Sequence, residues 1–355
     1  MNIHIAAPDI HVGDAVGNHC LALALDFAEQ GHRCELFAQR ATSPEQTLRP
    51  LADLLSGAAP HTSHDLLLVS HSIYDPHLRA LLKLPGRKVA YFHGITPPAL
   101  LLEHDPVAAY YCARGYVQLP LLAQFDHVVA NSAFNLRDLQ HHIPGGLAPE
   151  RSSVVPPISA RFPLFAQAPR APRLMPASGQ ALQLLTVGRV VPHKRIEDLI
   201  EVVALLVQAG QPAHLHVVGS CHNPDYRALL QNAIAQHGLQ AQVHLHGMVS
   251  AEALAQHYQT ADLLLVASQH EGFCVPVLEA MHLGLPVVLR SGTAAGEVLG
   301  FENSEFATIQ ECCLRIHQYI EQDQLERVRR HMQTRSKELV ESAHAQRFVD
   351  LLRIP

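Results

Sequence analysis

The sequence predicts an α/β protein made of two doubly wound parallel sheets, each covered by helices on both faces. Three observations carry this. Short apolar runs of strand length alternate with helix-length stretches along nearly the whole chain, and strands joined by helices pair in parallel through right-handed crossovers. The alternation breaks once, at Pro156–Gln180, where Pro, Ala, Arg and Ser abound and no period holds. The 355 residues are 48% apolar and only 16% charged, which is ample for two cores and far from the composition of a disordered chain.

The elements follow in order. Asn2–Ala7 is a buried strand, Asn18–Gln30 a helix ended by Gly31, and Arg33–Ala38 the next strand. Strands Leu66–Val69, Lys88–Phe92, His127–Ala130 and Ser153–Val155 complete the first series. Apolar, aromatic Pro98–Phe125 reads as buried helix, or as a surface for an acceptor or lipid. Past the break come strand Leu182–Val187, helix Ile196–Gln208, strand Ala213–Val218, helix Asp225–His237 and strand Val243–His246. Helix Ala251–Thr260, strand Leu263–Ala267, helix Val275–Leu283 and strand Pro286–Leu289 follow, then helices Ile309–Gln322 and Gln324–Leu352. The expected organisation is a first domain over 1–165, a linker over 166–180, a second domain over 181–335 and a crossover helix over 336–355 that returns to the first domain.

Composition excludes several functions. Twenty-six basic and 32 acidic side chains give a formal charge of −6, so bulk charge draws the chain to neither nucleic acid nor an acidic membrane. No apolar run approaches the roughly 18 residues of a membrane span, and Met1 leads straight into a strand-like segment rather than a secretory leader. Seven cysteines without CxxC spacing fit a reduced, cytoplasmic protein. The 26 histidines stand out. His214/His216 and His244/His246 alternate along expected strands, so each pair points to one face. With neither HExxH nor a Cys/His cluster at zinc spacing, they read as surface or core-edge groups, and no metal site is expected.

Ligands of open α/β sheets bind beyond the carboxyl ends of the strands. The first such loop, Ala7–Asn18, contains Gly13 and Gly17 and opens a helix. It suits close approach of a phosphate or sugar, or is an ordinary turn. It is not GxGxxG, and no acidic residue closes the second strand, so a dinucleotide fold is set aside. The second loop, Val187–Arg195, has Gly188 just after a strand, with Arg189 and Lys194 ahead of a helix. Two cations beside a helix's positive end suit a diphosphate, although a solvated basic loop looks the same in isolation. The third segment is Ala267–Met281, with Glu271 and Glu279 eight residues apart. Among 18 glutamates that spacing arises by chance. Its context does not: Glu271 and Gly272 follow a strand, Phe273 extends the N–H run, Pro276 fits a first helical turn, and Glu279 lies one turn inside the helix. Both carboxylates can accept vicinal hydroxyls, or both can merely cap the helix from Val275.

These stretches together resemble a retaining glycosyltransferase of family 4. The resemblance is carried by Val187–Val203 (VGRVVPHKRIEDLIEVV), His216–Ser220 (HVVGS), Val243–Leu254 (VHLHGMVSAEAL) and Ala261–Val288 (ADLLLVASQHEGFCVPVLEAMHLGLPVV). Looser likenesses in the first domain are Gly13–Asn18 (GDAVGN), Gly31-His32, Tyr91–Pro98 (YFHGITPP) and Ala130–Asn135 (ANSAFN). The implied fold is GT-B, two facing Rossmann-like domains. Residue by residue, the resemblance implies that Arg189 and Lys194 neutralise the donor diphosphate, Glu271 meets the donor sugar and Glu279 holds the ribose. It implies donor contacts by Gly13, Gly17, Gly188, Gly272, Phe273, Cys274 and Val275. Gly247, Met248 and Val249 then clasp the base edge, and His93 lies against the donor sugar.

Two departures stand out. The small-residue loop after Leu289 reads Ser-Gly-Thr-Ala-Ala-Gly-Glu297, and the segment after Gly300 lacks the family's acidic loop. No DxD occurs, so transfer is expected to need no metal and no cofactor beyond the nucleotide-sugar co-substrate. The expected reaction moves a hexose, foremost mannose from GDP-mannose, to a glycan or lipid-linked acceptor in surface-polysaccharide synthesis, with peripheral contact at the inner membrane face. The alternatives are a UDP-hexose donor or a GT-B-shaped nucleotide-sugar epimerase.

Overall fold

A computed structural model describes residues 2–11, 14–42, 48–158, 176, 179–321 and 325–343. The chain divides into two compact units: Met1–Pro98 with Val107–Ala160 and Leu339–Pro355, and Ala99–Pro106 with Arg161–Glu338. The expected linker, 166–180, lies almost wholly outside the described residues, as does the end of the expected crossover helix from residue 344.

The first unit begins with β1 (Asn2–His11), α1 (Ala15–Glu29), β2 (Arg33–Thr42), β3 (Leu48–Pro50), α2 (Leu51–Ser56), β4 (Leu66–His71) and α3 (Leu78–Leu81). It continues through β5 (Arg87–Phe92), α4 (Pro106–Gln118), β6 (His127–Ala130), α5 (Ala133–His142) and β7 (Ser152–Val154). Its seven strands run in the order β3-β2-β1-β4-β5-β6-β7. The strand order reverses between β1 and β4, which pair in parallel from Ile3↔Leu66 to Ala6↔Val69. Ile3, Ile5, Leu66, Leu68 and Tyr91 form the core with Leu23 and Phe27 of α1. Helix α1 starts at Ala15 rather than Asn18, because the Asp14 carboxylate accepts from the Val16 and Gly17 N–H groups.

The second unit contains β8 (Leu182–Val187), α6 (Ile196–Gln208), β9 (Ala213–Val218), α7 (Pro224–Gln236), β10 (Val243–Gly247), α8 (Ala251–Thr260) and β11 (Leu263–Val266). Then come α9 (Val275–His282), β12 (Val287–Arg290), α10 (Ala294–Leu299), β13 (Glu305–Phe306), α11 (Ile309–Ile320) and α12 (Leu325–Ser342), whose last residues the division returns to the first unit. The six strands run β10-β9-β8-β11-β12-β13, all parallel, with the reversal between β8 and β11. Both sheets therefore have the doubly wound topology that the alternation predicts.

One expectation needs correction. Pro98–Phe125 is not a simple buried helix: α4 buries Ala109, Cys112 and Gly115 while Val107 and Val117 are 64% and 77% exposed. Among the described residues no helix is long and apolar enough to cross a membrane.

Candidate functional site

In the second unit the ends of β8, β9 and β10, on one side of the reversal point, are laced together by backbone. Gly188 N donates to Val218 O at 3.0 Å, Gly219 N to Gly247 O at 2.8 Å, and Val190 N to Ser220 O at 2.8 Å. Gly219 has φ +146°, and a Cβ there would stand 1.8 Å from the Gly188 carbonyl oxygen. No other residue fits.

The next turn positions the cations. Pro192–Lys194 forms a 3-10 turn, and Arg195 follows in the left-handed region at φ 51° and ψ 49°. Arg195 is engaged by the start of α6, 2.7 Å from both Glu197 and Asp198. Asp198 also takes Arg290 at 2.5 Å. Lys194 is instead aimed at Glu271: its Nζ lies 2.5 Å from Oε1, with the two side chains 22% and 9% exposed. Ser268 Oγ donates to the same oxygen at 2.7 Å. Gln269 N donates to His193 O at 2.8 Å, tying the basic loop to the glutamate loop.

Burial alone would raise the Glu271 pKa, but the Lys194 charge and the Lys194 and Ser268 hydrogen bonds outweigh it and hold the carboxyl below its ordinary range. His193, buried beside Lys194, is pushed down to about 3, by burial first and then by that charge. A shallow pocket is lined by Gly188, Arg189, Lys194, Ser268 and Glu271. Of these, Arg189 is exposed. The resulting site is a carboxylate and an ammonium in contact, a guanidinium and exposed turn backbone, which is a combination able to meet both phosphate and hydroxyl groups.

The remaining predicted residues are placed differently. Cys274 is the N-cap of α9 at φ 75°, and its own side chain makes no capping hydrogen bond. Phe273 and Cys274 are 5% and 7% exposed, while Gly272 and Val275 are half-buried. Glu279 is fully buried and accepts from the Tyr258 hydroxyl at 2.7 Å. It is not among the residues that line the Lys194 pocket. Gly247 adopts φ +69° at the end of β10. Met248 beyond it is 70% exposed and Val249 half-buried. Ala294 N donates to Glu271 O at 3.3 Å, which brings the departing Ser291–Glu297 loop against the glutamate.

In the first unit, Gly13 lies outside the described residues. A Cβ on Gly17 would stand 2.2 Å from His11 O, so this glycine lets α1 pack on the end of β1. His93 is 9% exposed, and its Nε2 meets Ser70 Oγ at 2.9 Å. Burial first, then His19 and His71, hold its imidazole well below the ordinary range, so it is neutral near pH 7. Its ring centroid lies 4.6 Å from that of Tyr91 and 5.5 Å from that of His19. Gly94 has φ +85°, where a Cβ would strike the Asn135 amide at 2.5 Å.

Sequence reasoning missed Ser268, His193 and Tyr258 in the second unit, and His19 and His71 in the first. Only Ser268 had a usable signal, as a hydroxyl directly after a strand and three residues before Glu271. The others meet their partners across separate elements.

Residues 176–326 match the family model described as glycosyl transferases group 1. A D-inositol 3-phosphate glycosyltransferase of Geodermatophilus obscurus is 34% identical over 185 residues, 50% of this chain and 40% of that protein. The serotype-specific mannosyltransferase WbdA of Escherichia coli is 29% identical over 124 residues, 35% of this chain and 15% of that protein. The chain thus spans less than half the length of these relatives. The structure of sucrose-phosphate synthase from Thermosynechococcus elongatus superposes with a TM-score of 0.73 at 15% identity, covering 99% of this chain and 98% of that one. With its two doubly wound parallel sheets the chain has the GT-B fold, and the stretch similar to glycosyl transferases group 1 is residues 176–326.

Proposed function

We propose that this protein is a retaining glycosyltransferase of family 4 that moves a hexose, foremost mannose from GDP-mannose, to a glycan or lipid-linked acceptor of a cell-surface polysaccharide. The Lys194–Glu271 contact beside Arg189 carries this reading. Breaking a sugar–diphosphate bond builds negative charge on the leaving group. Arg189 and Lys194 stand ready to stabilise it from the end of β8. Glu271, held ionised, accepts hydroxyls of the sugar and orients C1 as positive charge develops there. The departing phosphate helps deprotonate the acceptor, which attacks from the same face. Neutral His93 supplies a polar contact to the donor sugar without adding charge.

Mannose is supported by the similarity to WbdA, described as a mannosyltransferase, and by the His93–Pro98 loop, which resembles bacterial surface-polysaccharide enzymes. The exposed Val107, Tyr110, Tyr111 and Val117 of α4 support an acceptor met at the inner membrane face. A thermal-shift panel with GDP-mannose, UDP-glucose and UDP-galactose, followed by anomer assignment of the product, tests the reading. The expected result is the largest shift with GDP-mannose and an α-linked product that forms only with acceptor. A larger shift with a UDP-hexose would move the donor assignment. Sugar conversion without acceptor would replace transfer by epimerisation.

A further inference from the structure

The histidines set aside as surface groups converge in space. His216 on β9, His246 on β10 and His257 on α8 each offer a ring nitrogen, and the three nitrogens lie within 4.8 Å of one another. His216 and His257 are half-buried and His246 is exposed. The β9–β10 register sets His216 directly beside His244, so the alternation that aims each pair at one face aims both pairs at the same face. His216 stacks on His246 at 5.3 Å and an interplanar angle of 20°, and His257 packs tilted against His246 at 4.5 Å and 55°.

A second observation orients the cluster. His216 Nε2 lies 3.0 Å from Gln183 Oε1 on β8. A carbonyl oxygen only accepts, so Nε2 carries the proton and Nδ1 presents its lone pair. That Nδ1 points at His246 Nε2, 3.0 Å away. Metal-binding imidazoles are held in just this way, by an acceptor on the second ring nitrogen.

We infer that His216, His246 and His257 form a binding site for a borderline transition-metal cation, zinc(II) foremost, distinct from the Lys194–Glu271 pocket. Three imidazoles and no carboxylate favour zinc, copper or nickel over magnesium or calcium. Nitrogens about 2.0–2.1 Å from a tetrahedral zinc stand roughly 3.3 Å apart, so the pair at 3.0 Å is close to ligand spacing. His257 offers its nitrogen within 4.8 Å of that pair and would turn toward it on ligation. The fourth position is left to water. The ion would bridge β9, β10 and α8, one residue before Gly247, so it would stabilise the native state in proportion to its occupancy.

The full chain, stripped with a chelator and titrated calorimetrically with zinc chloride, tests this. The expected result is one saturable zinc equivalent, a rise in Tm with zinc, and a tetrahedral absorption signature when cobalt(II) replaces it. His246→Gln and His257→Gln should each lose at least about tenfold in zinc affinity and most of the Tm rise, whereas exposed His237→Gln should keep both. Gln183→Met should weaken zinc by about 10–100-fold while keeping all three ligands. Circular dichroism confirms that the variants fold. Absence of zinc uptake, or equal zinc affinity in His246→Gln, His257→Gln and His237→Gln, would overturn the site.

Discussion

Lys194 Nζ and Glu271 Oε1 stand 2.5 Å apart although 77 residues separate them in the chain. The cation in the turn before α6 is thus shared with a carboxylate that Ser268 also holds. Burial by itself would raise the Glu271 pKa, and the Lys194 charge and the hydrogen bonds of Lys194 and Ser268 more than offset it. On the proposed function, a diphosphate entering the pocket would compete with Glu271 for Lys194, so that donor binding and release of the glutamate toward the sugar would be one event.

The first prediction follows from that sharing. Lys194→Ala should lower kcat/KM by about 1.5–3 kcal/mol through loss of a charge-assisted contact. It should also leave Glu271 buried without its cation. The double variant with Glu271→Gln should therefore be less damaged than the sum of the single effects, with a coupling of about 0.5–3 kcal/mol. Steady-state kinetics on the four proteins decide it. Strict additivity would show that the contact plays no part in turnover.

A second prediction separates the two glutamates. Glu271 touches the pocket, whereas Glu279 is fully buried and tied to Tyr258 at 2.7 Å. Glu279→Gln should weaken donor and free nucleotide together with little change in kcat, the signature of a contact made equally in ground and transition states. Tyr258→Phe should do the same more mildly. Glu271→Gln should lower kcat strongly and leave nucleotide Kd nearly unchanged. Calorimetric titration with GDP is the measurement, and equal losses of GDP affinity would end the division of labour.

The third concerns metals. No DxD occurs in the chain, and the proposed zinc ligands lie on β9, β10 and α8 rather than in the Lys194 pocket. EDTA should accordingly leave the rate of transfer largely intact, even while it removes a zinc-dependent rise in Tm. Complete loss of transfer, restored by magnesium or manganese, would place a metal on the diphosphate instead of the two cations.

Much of the fold was legible because parallel strands buried on both faces read as continuous apolar runs. Leu182–Val187, Ile196–Gln208 and Ala213–Val218 match their expected bounds residue for residue. The start of α1 was misread because Asp14, the cap that begins it, sits in a loop with no apolar period. The basic loop and the glutamate loop were visible as motifs, but the contact between Lys194 and Glu271 was not. Nor was the left-handed Cys274 at the start of α9. The histidine cluster shows the limit most clearly. Alternation told that His214/His216 and His244/His246 each face one way, yet strand order alone decides that the two pairs face each other's side, and His257 joins them from a helix.

The last prediction is acid lability set by the histidines inside the first unit. Burial pushes His19 down to about 3 and His71 down to about 4. In the unfolded chain both titrate near about 6.5. Below that pH the unfolded state binds protons that the native state refuses, so stability present above about pH 6.5 is lost as pH falls toward 4. Each such histidine contributes a slope of up to about 1.4 kcal/mol per pH unit. His71 is the one to test. It is fully buried, neither ring nitrogen has a hydrogen-bond partner, and its ring stacks on Phe92 at 6.3 Å and 27°. A phenyl ring can take that place without orphaning a partner, so His71→Phe should cost little at neutral pH. As pH falls from about 5.5 to about 4.5, the variant should gain about 1.2 kcal/mol on the wild type. Denaturant unfolding of both proteins across that range measures the difference. Parallel stability curves would mean that His71 is already protonated in the native core and that its burial does not govern its charge.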